Sequence, residues 1–222
     1  MKVVIMKFGG PGSSQKSGAK HLTLVRISAF SLLSPYAFLT HDETPGPEMR
    51  FEFSVEQDGT TITTTSNHIN GKKTGFTQFV WPEAPDRFDG YGGVRWEAPA
   101  NMRLKIIMTT AGGTPAEGIA AWGAELVTPE TETSCHYFWS FARNFRLDEP
   151  GFDEILSSAI GGVFENEDGT MIAKVQANMG SETDLIALRP VVLPTDNAAI
   201  RARRVMQALL KKEELEGTGP ES

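Results

Sequence analysis

The chain has 222 residues, a formal net charge of −7 and 40% apolar residues. Its acidic balance argues against a nucleic-acid partner, since phosphate binding needs a basic stripe and none stands outside the last predicted helix. No apolar run is long enough to cross a bilayer, and one cysteine excludes an internal disulfide. Lys2 and Lys7 are followed by no apolar signal core, so the expectation is one soluble cytoplasmic domain with disordered ends.

The opening run from Met1 to Gly10 is similar to the first strand and glycine turn of aspartate kinases, but from Pro11 onward that pattern stops. Residues 9–20 are rich in Gly, Ser and Pro and predict a linker or tail. Alternation from Arg50 to Glu56, the Asp58-Gly59 turn signal and a β-branched return from Thr60 to Ser66 predict a hairpin. His68 falls in an apparent hairpin loop. Residues 82–93, with Pro82, Pro85, Gly90, Gly92 and Gly93, predict a long loop. Four further strands are predicted at Gly93 to Ala98, Asn101 to Thr110, Ile119 to Val127 and Thr133 to Phe145, which gives six strands in one antiparallel sheet. A helix from about 153 to 179 follows, bent where Gly161, Gly162 and Asp168-Gly169 weaken it. A second, from about 197 to 216, has Asp196 as N-cap and a buried stripe of Ile200, Val205, Met206, Leu209 and Leu210. Strands first and helices later predict an α+β chain. The expected division is an N-terminal segment at 1–44, a folded domain at 45–216 and a tail at 217–222.

The segment Thr128-Pro129-Glu130-Thr131, then Cys135-His136-Tyr137-Phe138-Trp139, Arg143-Asn144-Phe145 and Asp148 carries the functional reading. Tyr137, Trp139 and Phe141 share one strand face, which suits a core or an aromatic pocket wall. His136 points the other way, Cys135 reads as a packed thiol, and Arg143 with Asn144 fixes the strand end. Asp148-Glu149-Pro150 also reads as a helix start, so Asp148 is either a cap or a functional carboxylate. Arg201, Arg203 and Arg204 suit a solvated helix face or a subunit contact.

This run resembles the catalytic domain of Rieske non-haem iron oxygenases of the vanillate and dicamba O-demethylase type, over roughly residues 48–213, with Asn197 to Arg204 as a second match. The resemblance implies a helix-grip fold, in which a curved antiparallel sheet wraps a long C-terminal helix around a cavity. It makes Asp148 the carboxylate ligand of a mononuclear Fe(II) and Trp139 a wall of the pocket, with Trp96, Phe79 and Tyr91 as further substrate contacts. His41 lies near the second imidazole position of the family's ligand helix, while Pro35, Tyr36 or Ala37 stands where the first belongs. The family's [2Fe-2S] cluster is held by C-x-H and C-x-x-H pairs, which this chain lacks, so the cluster is expected in the family and not on this chain. The implied partners are an aromatic small molecule and a reductase component, and a ring-shaped homotrimer is allowed. The implied reaction is hydroxylation of an aromatic compound, or of a methoxyl carbon whose hemiacetal collapses to a phenol and formaldehyde. The alternative is a helix-grip module that binds a small aromatic or apolar ligand without catalysis.

Overall fold

Period-two alternation builds a single sheet. The computed structural model describes residues 4–8, 48–131, 134–179, 188–193 and 196–217. Its strands are β1 (Val4–Phe8), β2 (Arg50–Asp58), β3 (Thr61–Lys72), β4 (Arg87–Glu97), β5 (Asn101–Thr110), β6 (Ile119–Pro129) and β7 (Cys135–Arg143). They run antiparallel in the order β1-β7-β6-β5-β4-β3-β2. From β2 to β7 each strand pairs with its sequence neighbour. β1, which falls in the N-terminal segment expected to stand outside the folded domain, adds a seventh strand by pairing with β7, with Val4 opposite Trp139.

The first hairpin forms as predicted, closing with Asp58 opposite Thr61 and with Gly59 at φ +55 in its turn. The predicted loop at 82–93 is shorter than expected, because β4 begins at Arg87. A Cβ on Gly93 would lie 2.6 Å from the Thr64 carbonyl oxygen. This glycine therefore marks close approach of a neighbouring strand and not a turn. His68 likewise belongs to β3 and not to a loop. It is buried, and its ring lies 4.9 Å from that of Phe51 on the adjacent strand.

A short helix, α1 (Gly75–Val80), follows β3 and is capped by Thr74, whose hydroxyl accepts from the Thr77 N–H at 3.1 Å. The single helix predicted for 153–179 is instead α2 (Phe152–Val163), a π turn (Phe164–Asp168) and α3 (Gly169–Met179). The C-terminal helix α4 (Asn197–Gly217) has 21 residues, about 31 Å of length at the α-helical rise. Its most buried side chains are Ala198, Ala199, Ala202, Val205 and Met206, while Ile200, Leu209 and Leu210 are only half-buried. Small residues thus bring the start of α4 close to the sheet at β3, and larger ones fill the space further along.

One face of the sheet holds the core. Ile62, Val94, Trp96, Met102, Leu104, Tyr137 and Trp139 point toward a layer made by Phe152, Leu156, Ile160 and Phe164 with the buried stripe of α4. Burying each large apolar side chain contributes about 1.5–3 kcal/mol. No described helix is long and apolar enough to cross a membrane.

Candidate ligand site on the inner face of the sheet

The pairing register draws a straight row across the inner face. Ile62 stands opposite Trp96, Trp96 opposite Met102, Met102 opposite Glu125, and Glu125 opposite Trp139. All five are buried. With strands about 4.8 Å apart, the two tryptophans stand roughly 14 Å from each other, with a thioether and a carboxylate between them. The indole N–H groups of both tryptophans are buried and have no hydrogen-bond partner, and neither has the Ser66 hydroxyl on the same face. A buried indole N–H ordinarily finds an acceptor. An orphaned one costs about 1–3 kcal/mol unless a water or ligand answers it.

Phe164 covers the Trp139 end of this row. Its ring lies edge-on to Tyr137 and to Trp139, with centroids 5.5 Å from each. Phe164 opens the π turn and Asp168 closes it four residues later, nearly one full turn on, so both face the sheet. Burial agrees: Phe164 is buried and Asp168 half-buried, while Glu165, Asn166 and Glu167 are exposed. Beside Trp139 lies a cleft of about 520 Å³, lined on the sheet side by Phe141 and Arg143 and on the α2 side by Asp153, Leu156, Ser157 and Ile160. That volume falls within the range of small-molecule sites.

The end of the cleft is fixed by the residues expected to hold the strand end. Arg143 donates to the Phe145 carbonyl and, at 2.7 Å, to Asp153, and its guanidinium lies over the Phe152 ring. Hydrogen bonding to Arg143 holds the Asp153 carboxyl below its ordinary range. Asn144 accepts from the Ala120 N–H at 2.6 Å. Arg146 donates to the Phe79 carbonyl at 2.6 Å and ties α1 to the same corner.

Of the expected site residues, Trp139 and Trp96 share the inner row. Phe79 stands apart from the row, against Phe152, with ring centroids 5.7 Å apart. Tyr91 is separated from Trp96 by an odd number of residues and lies on the outer face, where desolvation and the charges of Asp89 and Glu52 raise its phenol pKa. Asp148 is exposed in the turn between β7 and α2 and does not itself line the cleft, although its neighbour Leu147 does. It does not cap α2, whose N-cap is Gly151. His41 lies outside the described residues. Among those described, no three His, Cys, Asp or Glu side chains gather as a metal site. Two carboxylates escaped sequence reasoning. Glu125 was accessible, because alternation through Ala121, Gly123 and Val127 turns it inward. Asp168 was not, because its direction depends on a π turn that the Asp168-Gly169 pair disguises as a helix break.

A seven-stranded antiparallel sheet gripping C-terminal helices over an inner row of aromatic and acidic side chains defines a helix-grip domain of the α+β class. The chain belongs to the family described as the vanillate O-demethylase oxygenase C-terminal domain, whose model matches residues 37–212. It is 35% identical over 128 residues to the oxygenase component of chloroacetanilide N-alkylformylase from Rhizorhabdus wittichii, covering 58% of this chain and 36% of that protein. Among solved structures, dicamba monooxygenase bound to 3,6-dichlorosalicylic acid is similar with a TM-score of 0.75 and 22% identity, covering 96% of this chain and 60% of that one. A structure of dicamba monooxygenase with non-haem iron and dicamba has a TM-score of 0.69 and 22% identity, over 97% and 59% of the two chains. At that identity the likeness establishes the fold. The chain spans little more than a third of the length of the curated relatives it matches.

Proposed function

We propose that this chain is the catalytic part of a Rieske-type oxygenase that hydroxylates or O-demethylates an aromatic compound at a mononuclear non-haem iron. The observation that carries this reading is the cleft beside Trp139, whose buried indole N–H has no hydrogen-bond partner, in a chain of this family. The domain spans 45–216 with Val4–Phe8 as an added edge strand, and 217–222 is a tail. Electrons would be supplied by a reductase component and a [2Fe-2S] cluster held outside the described residues. A homotrimer in the cytoplasm is the proposed setting.

The described residues alone do not make a complete iron site. They offer a carboxylate, for which the motif nominates Asp148. Geometry favours Asp168, which is half-buried on the sheet side of the π turn, whereas Asp148 is exposed in an outer turn. His41 and a second imidazole would have to complete the set. When bound, iron supplies the redox chemistry of oxygen insertion. The protein's own part is plainer. Trp139 and Phe141 wall the cleft on the sheet side, with Phe164 packed edge-on against Trp139, Leu156 and Ile160 give it an apolar α2 side, and Arg143 holds its end rigid through Asp153.

The test is iron content after anaerobic purification with Fe(II), for the wild type, Asp148→Ala and Asp168→Ala. Near-stoichiometric iron that Asp168→Ala loses and Asp148→Ala keeps is the expected result. The opposite pattern returns the role to Asp148. No iron in any of the three would favour the non-catalytic helix-grip module, which binds its ligand without metal.

A further inference from the structure

Strand β2 ends the sheet, and it lacks most of the devices that blunt such an edge. It is nine residues long, holds no proline or lysine, and pairs with β3 from Arg50 to Asp58 without a bulge. The two-residue turn makes Asp58 and Thr61 a hydrogen-bonded pair, so alternation directs the N–H and C=O groups of Phe51, Phe53 and Val55 away from β3. Among the described residues no strand answers them. The side chains of these three are half-buried on the inner side, where the Phe51 and Phe53 rings stack with centroids 6.3 Å apart and Val55 packs against the core. An inward-pointing charge would ward off a partner strand, and the inward positions hold none. Arg50, Glu52, Glu56 and Asp58 all stand on the outer side and are exposed.

We propose that β2 pairs with β2 of a second copy of this chain about a two-fold axis at Phe53, joining two sheets into one. Charge decides the register, because like charges directly opposed across a pair are destabilising. Axes at Glu52, Ser54 and Val55 set Glu52 against itself, Glu56 and Asp58 respectively, and one at Phe51 leaves only three residues of the strand overlapped. With the axis at Phe53, Arg50 of each copy faces Glu56 of the other, Glu52 faces Ser54, Phe51 faces Val55, and Phe53 faces its own copy. Arg50 already pairs with Glu52 at 3.0 Å, and its five N–H donors allow it to serve Glu56 as well. At the margins Asp58 meets Glu48, which lies outside the strand and is held by Arg87 at 3.0 Å. The same axis makes the Phe53 pair and both Phe51–Val55 pairs hydrogen-bonded, the phase that the outward backbone groups require. The contact is isologous, and it uses no residue of the cleft, so it stands or falls apart from the oxygenase reading.

The test is sedimentation equilibrium of the full chain over a range of concentrations. The wild type should associate in even numbers, as dimers, or as hexamers where the proposed ring trimer also forms. Arg50→Glu and Glu56→Arg each oppose like charges twice in the pairing and should raise the dissociation constant of the two-fold contact at least about tenfold. The double variant restores opposite charges and should return it to within about threefold of the wild type. Val55→Pro removes an N–H that points away from β3, so the hairpin ladder stays intact, and it should abolish the contact while circular dichroism shows the fold kept. Monomers or trimers alone at every concentration overturn the pairing, as does an association that both single reversals leave unchanged. Weakening by both reversals with no recovery in the double variant overturns the register at Phe53.

Discussion

The two faces of the sheet obey one alternation and live in different solvents. On the outer face Glu97 accepts from Arg95 and Arg103, both at 2.7 Å, and Arg50 pairs with Glu52. These are wet ladders, in which screening and side-chain entropy leave little net stability. Trp122 and Leu126 also lie there, each nearly half exposed. Among the described residues the inner row encloses one carboxylate and two indole N–H groups, with buried Thr64, Ser66 and His68 on the same face, where every polar atom needs an answer. A charge on the outer face is therefore mostly a matter of solubility. One on the inner face asks for a functional explanation.

The largest expected effect of a single change on stability is on the inner face. Trp96→Ala empties a fully buried position and should cost about 3–5 kcal/mol in urea unfolding. Next comes the seam between β3 and β4. Gly93→Ala drives a methyl into the Thr64 carbonyl and should cost about 1–3 kcal/mol by the same measurement. A third test uses pH. Burial lowers the pKa of His68, so the folded state holds it neutral more firmly than the unfolded chain does. Its contribution is complete above the unfolded value of about 6.5 and is lost as pH falls through the lower folded value. His68→Gln should flatten the decline of the melting temperature in that window. The smallest effect belongs to the outer ladder. Hydrogen bonds from Arg95 and Arg103 lower the Glu97 pKa, so its contribution is present at neutral pH and fades on acidification below the ordinary carboxylate range. Glu97→Gln should barely move the neutral-pH melting temperature, and less still at high salt. A shift as large as that of Gly93→Ala would break the contrast between the faces.

Much of the sheet was legible because its signals are local. Arg50 to Glu56 alternates, Asp58-Gly59 turns, and the strands through β7 fall near their predicted places. Gly90, Gly92 and Gly93 misled because glycine reads as a turn in sequence, whereas here Gly93 answers the Thr64 carbonyl on the neighbouring strand. Treating that stretch as loop also left Tyr91 without an assigned face. The inward direction of Trp139 was legible, since it sits in a regular strand. The surroundings of Asp148 were not. Asp148 ends the recognisable motif, yet Arg146 adopts φ +49 just before it and the chain turns to the surface.

The π turn has a consequence for how this chain can vary. Such a turn amounts to one residue more than an α-helix would use over the same span. Deleting a single residue among Glu165, Asn166 and Glu167 would let α2 and α3 merge into one regular helix over the same span. Phe164 and Asp168 would then stand three residues apart, still neighbours on one helix face. Substitutions at those exposed positions, and even a one-codon loss, should therefore leave the carboxylate on the same side as the aromatic ring without unfolding the domain.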